Sequence, residues 1–113
     1  MTPEAFATRL GNDDSVDFED TMAVISEHFD YAPCAFNNGT IFNEAGQNEG
    51  SCKIFGFGLQ MGLDEAQTLA CFGRFYRDVL ATPEGTDHGN IRNFMQHGWA
   101  GIEFEGEPLR RKG

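Results

Sequence analysis

The sequence predicts a predominantly helical α+β domain, four to five helices around a small antiparallel hairpin or sheet. Three observations carry that expectation. Apolar residues recur at helical spacing in several separate segments, one Asn-Gly pair sits between two short apolar runs, and a late Ile-Glu-Phe-Glu segment alternates. At 113 residues the chain suits a single domain, 1–113, with one core. Eleven phenylalanines against one tryptophan and two tyrosines point to a core built on Phe, each buried ring contributing roughly 1.5–3 kcal/mol of transfer free energy.

Taken in order, Thr2-Pro3-Glu4 reads as a helix start, with Thr2 as cap and Pro3 in the first turn. Phe6 and Leu10 then share a face, and Gly11-Asn12 stops the helix. Phe18, Met22, Ile25 and Phe29 form the stripe of a second helix, capped by Ser15 or Asp17. Pro33 ends it. Asn38-Gly39 has the chemistry of a type I′ turn, which would set Phe36 opposite Ile41, and residues 43–50 read as a polar loop.

From Ser51 onward a short helix is expected, with a strand as the alternative because Gly56, Gly58 and Gly62 each cost a helix about 1 kcal/mol relative to Ala. Asp64 and Gln67 make a capping box. They open what reads as the longest and most central helix, reaching Leu80, with Leu69, Phe72, Phe75, Tyr76, Val79 and Leu80 on its apolar side. Pro83 and Gly85 turn the chain. Asp87 then caps a short helix with Ile91, Phe94 and Met95 inward, ended by Gly98. Ile102 and Phe104 alternate with Glu103 and Glu105 as a half-buried strand able to join the hairpin.

The formal charge is −10, which disfavours binding to nucleic acid and to anionic membrane surfaces. Residues 1–30 carry eight acids and a single Arg9, whereas 110–113 form a basic tail expected to fray. No apolar run approaches membrane-spanning length, and no basic segment followed by an apolar stretch marks a secretory signal. Three widely spaced cysteines, Cys34, Cys52 and Cys71, fit free thiols in a reducing compartment. They and the scattered histidines lack the tight pairs of a structural metal site, so neither metal nor cofactor is expected.

Two segments carry candidate chemistry. In the first, Asn48, Glu49, Ser51 and Lys53 surround Cys52; were Ser51 a helix cap, the dipole and the ammonium would both favour a thiolate. A small buried hydrophobe is the plainer reading of Cys52. In the second, Asp87 could orient His88, with Asn90 and Arg92 placed to hold an anionic group. A cap, a polar first turn and an exposed Arg are the plainer account. Arg74, Arg77 and Arg92 could form a basic spot, or pair with Asp78 and its neighbours.

The run Asn48-Glu49-Gly50-Ser51-Cys52-Lys53-Ile54-Phe55, together with Gln67-Thr68-Leu69, Cys71-Phe72-Gly73, Tyr76-Arg77, Asp87-His88, Asn90-Ile91-Arg92, Gly98-Trp99, Gly101-Ile102 and Phe104, resembles the HopJ family of type III effectors from about Phe18 to Leu109. The resemblance implies a bacterial protein, cytoplasmic or delivered into a host cell by type III secretion. It brings no established catalytic residues, and folding patterns that begin at Thr2 leave little room for a flexible, Ser-rich leader. The expectation is therefore an effector-like protein that binds an unidentified protein partner. A small enzyme built on Cys52 and His88, and an acidic mimic of nucleic acid, are the alternatives.

Overall fold

In the computed structural model, which describes residues 1–112, six α-helices surround two small antiparallel sheets. The first helix, α1 (Pro3–Ala7), is capped by Thr2, whose hydroxyl accepts from the Ala5 N–H. It ends four residues before Gly11, yet Phe6 and Leu10 are both buried. Asp17 and Asp20 form a reciprocal capping box at the start of α2 (Phe18–His28). Of the expected stripe Ile25 and Phe29 are buried while Phe18 and Met22 are half-buried, and Thr21 and Val24 complete the buried side. Phe29 has already left the helix and begins a strand.

That strand, β1 (Phe29–Tyr31), pairs with β5 (Leu109–Arg111). Leu109 is buried, Arg111 forks onto the Glu4 carboxylate, and the Lys112 N–H donates to the His28 carbonyl. So residues 110–112 are stitched to the body, not frayed, because strand pairing and ion pairs outweigh their polarity. Gly113 of the expected tail lies outside the described residues.

A second sheet runs β3 (Ile41–Asn43), β2 (Phe36–Asn38), β4 (Ile102–Phe104), with β2 central. The hairpin and its late partner strand are as expected, but the register is not: Phe36 faces Asn43, and Asn38 faces Ile41. The two-residue loop is Gly39-Thr40, with Gly39 at φ +61. Asn38 is drawn into the sheet by a fully buried side chain that donates to the Asn90 carbonyl at 2.7 Å.

The longest and most central helix is α3 (Glu49–Met61), of 13 residues. Ile54, Phe55 and Phe57 are wholly inaccessible. Phe55 packs against Phe36, Phe72, Phe94 and Trp99, and Phe57 against Phe6 and Phe29. Its glycines are there for close approach: a Cβ on Gly58 would lie 2.7 Å from the Trp99 ring, and one on Gly56 3.0 Å from Pro108. Neighbours packed this tightly offset the local cost of Gly in a helix.

The capping box at Asp64 and Gln67 is present, but the helix it opens breaks at Gly73 into α4 (Glu65–Ala70) and α5 (Arg74–Ala81). Gly73 sits at φ +57, and a Cβ there would come within 2.6 Å of the Asp17 Cα and the Phe18 nitrogen. The break lets the start of α2 press against the joint. It also turns Leu80 outward, 54 % exposed. The last helix, α6 (Gly89–His97), buries Ile91 and Phe94 but leaves Met95 open. Its cap position is His88, not Asp87. A 3-10 turn (Gly98–Gly101) leads into β4, with the Trp99 Nε1–H donating to the Leu63 carbonyl at 3.0 Å.

Candidate functional site

Helices α3 and α6 begin on the same cleft, an open cavity of about 380 Å³. Asn48, Gly50 and Ser51 line one side, His88, Gly89, Asn90 and Ile91 another, and the rings of Phe18, Phe72 and Phe75 form the apolar wall. Thus the two sequence segments, forty residues apart in the chain, are brought together.

Both helices start in the same unusual way. Asn48 (φ 50) and His88 (φ 52) are the two non-glycine residues with positive φ among the described residues. Neither side chain caps its own helix. Left-handed backbone costs an L-residue about 1 kcal/mol or more, and Asn and His are among the types that tolerate it. The Asn48 side chain is used elsewhere, donating to Asn43 Oδ1 at 2.7 Å. The His88 ring leans on Phe75, 5.5 Å between centroids, and Phe75 meets Phe18 edge-on at 5.2 Å. Gly50 leaves room for Phe18, since a Cβ there would sit 2.7 Å from that ring.

Behind the cleft lies a buried amide cluster. Asn43 and Asn90 exchange hydrogen bonds at 3.1 and 2.9 Å, and Asn38 Nδ2 donates to both the carbonyl and the side-chain oxygen of Asn90. Asn38 Oδ1 has no partner. These bonds fix the hairpin against the first turn of α6 and the cap of α3.

The other sequence candidates lie off the cleft. Cys52 is 1 % exposed, with its Sγ 3.8 Å from the Cys34 carbonyl. Burial pushes its thiol up to about 11, opposite to the direction that the dipole and Lys53 would favour. The Lys53 ammonium lies over the Tyr31 ring, 4.7 Å from its centre. Burial, with Cys52 and Glu49 nearby, raises the Tyr31 hydroxyl well above its ordinary range, and its oxygen is buried without a partner. Glu49 is exposed.

Arg92 is occupied in holding the loop before α6. Its guanidinium donates to the Asp87 carboxylate and carbonyl at 2.7 and 2.5 Å, and to the Thr82 carbonyl at 2.8 Å. That guanidinium keeps the Asp87 carboxyl below its ordinary value, and the same carboxylate lies 3.8 Å from His88 Nε2. Arg74 forks onto Glu19 and Arg77 reaches Asp17, so their partners come from α2 and its cap, not from Asp78. Among the described residues no group of three or more His, Cys, Asp or Glu is placed to hold a metal ion. None of their helices is long and apolar enough to cross a membrane.

Sequence reasoning missed Phe18, Phe72 and Phe75 as cleft residues, since rings at helical spacing read as core. It also missed Asn38 and Asn43. The available signal was Asn48 and His88, residue types at ease with left-handed backbone, each within two residues of a glycine.

The sequence model of the HopJ type III effector proteins matches residues 3–109. The chain belongs to the HopJ family. Among solved structures it is similar to a crystal structure of the unknown-function protein VPA0580, at 54 % identity and a TM-score of 0.95, over 99 % of this chain and 95 % of that one. No curated protein matches significantly. That family's model is described as one of type III effector proteins, and in this chain the cleft between α3 and α6 is where the two sequence segments meet.

Proposed function

We propose that this HopJ protein is an effector delivered by type III secretion that acts by binding a host partner, seating an apolar side chain of that partner in the cleft between the openings of α3 and α6. The observation that carries this reading is the convergence of residues 48–51 and 88–91, each helix starting from a strained non-glycine residue. Such strain persists where the surrounding structure holds it, and it clusters at binding and switching sites. The volume lies within the range of about 300–1,000 Å³ typical of ligand pockets, and three phenylalanine rings favour an apolar insert.

A Ser51→Trp variant tests the binding half by filling the cleft from a half-buried position. With a photo-crosslinking residue placed at Glu49, host-protein crosslinks formed by the wild-type chain are expected to drop about tenfold in Ser51→Trp, with an unchanged thermal midpoint. Equal crosslinking by both proteins would remove the cleft from the reading. A translocation reporter tests the delivery half: absence of signal in host cells under secreting conditions would remove it.

A further inference from the structure

A second apolar feature crosses α4, α5 and α6 and shares no lining residue with the cleft. Leu80 on α5 and Met95 on α6 are 54 % and 43 % exposed. Three open depressions, of about 310, 330 and 200 Å³, meet at these side chains. Leu80 belongs to the first two, and Met95 with Gln96 to the last two. Val79, Pro83 and Leu69 contribute further apolar lining, so the three depressions adjoin through shared side chains and form one grooved face rather than scattered exposed residues.

Its charges are one-sided. The two arginines that line it, Arg77 and Arg92, are engaged by Asp17 at 3.9 Å and Asp87 at 2.7 Å. Asp14 and Glu65 line the groove, and Glu84 stands between its residues Pro83 and Gly85. Among the described residues none of these three carboxylates has an ion-pair partner, and of the Glu65 oxygens Oε2 accepts from the Trp99 N–H at 3.1 Å. An apolar floor with an unneutralised acidic rim selects for the opposite pattern, an apolar stripe flanked by cations.

We propose that the α4–α5–α6 groove is a docking surface for a basic amphipathic helix of a partner protein. Leu80 and Met95 would meet its i, i+4 apolar stripe while Lys or Arg side chains reach Asp14, Glu65 and Glu84. A second copy of this chain, itself carrying −10, is disfavoured by like-charge repulsion. The groove is independent of the cleft, so either can fail alone.

The test uses a fluorescein-labelled Leu/Lys peptide with helical apolar spacing, titrated with the intact protein and followed by anisotropy. Saturable binding is expected, weakening at least about tenfold in a Leu80→Ser/Met95→Gln variant. It should weaken several-fold, on the order of threefold to tenfold, in Asp14→Lys/Glu84→Lys and as salt is raised. Ser51→Trp should bind the peptide as wild type does. Absence of saturable binding, equal binding of a scrambled peptide of the same composition, or undiminished binding by Leu80→Ser/Met95→Gln would each overturn the proposal. A dimer in sedimentation that Leu80→Ser/Met95→Gln dissolves would overturn it in favour of self-association.

Discussion

A thiol at the opening of a helix gains from the positive end of the dipole only while its ionised form keeps contact with water. Cys52 has lost that contact under the loop carrying Cys34, and Cys71, fully buried, is pushed by burial up to about 12. Cys34 is half-buried. Iodoacetamide at neutral pH should therefore alkylate Cys34 first, leaving Cys52 and Cys71 slow until denaturant is added, as peptide mass spectrometry would resolve. Fast labelling of Cys52 in the folded protein would reopen nucleophilic chemistry there. Lys53 and the helix were legible at this position in the sequence. The reading of Cys52 as a small buried hydrophobe was legible too; what covers it was not, because that is a loop eighteen residues away folding across the thiol.

At the scale of elements, local signals with a fixed geometry were readable and tertiary compromises were not. The capping box at Asp64 and Gln67 and the strand at Ile102–Phe104 follow from spacing alone, whereas at α2 spacing offered Ser15 or Asp17 as cap and did not reveal the box that Asp20 completes. The joint at Gly73 does not, since it lies in an unbroken apolar rhythm and is required by Asp17, more than fifty residues earlier. Asp17 Oδ1 accepts from the N–H groups of both Phe18 and Arg74, 2.9 Å each, so one carboxylate serves the starts of two helices. Gly73→Ala should destabilise the fold by about 3 kcal/mol in urea denaturation, combining an unfavourable φ with backbone overlap. Gly62→Ala is the control: its φ is +63 with nothing within 4 Å, and the loss should be only about 1 kcal/mol. Equal losses would mean that the joint is not tightly packed.

Over the whole molecule, an acidic chain holds its six arginines in ion pairs. Arg111 on Glu4, and Ser15 with Arg9 on Asp13, bring those carboxyls down to about 2, and Arg74 lowers Asp17 and Glu19. The unfolded chain, with ordinary carboxyls near pH 4, binds protons that the folded one refuses. The resulting stability is fully present above about pH 4 and is lost as pH falls toward about 2. Calorimetry should show the thermal midpoint falling through that window, with a shallower fall in Glu4→Gln; an unchanged slope would mean that this pair is screened by solvent. The family, the fold class and the two segments that meet at the cleft could all be read from the sequence at this scale. The aromatic wall and the amide cluster behind it could not, since each is assembled from residues whose local spacing serves some other element.

The ladder between β1 and β5 joins Phe29–Tyr31 to residues roughly eighty positions later, a long loop to close for three residue pairs. A nascent chain leaving the ribosome therefore carries β1 as an unpaired edge while roughly eighty further residues are made. Closure comes no earlier than residue 111, so the expected order is local helices first and this seam late, which pulse-labelling hydrogen exchange would show as late protection of residues 29–31.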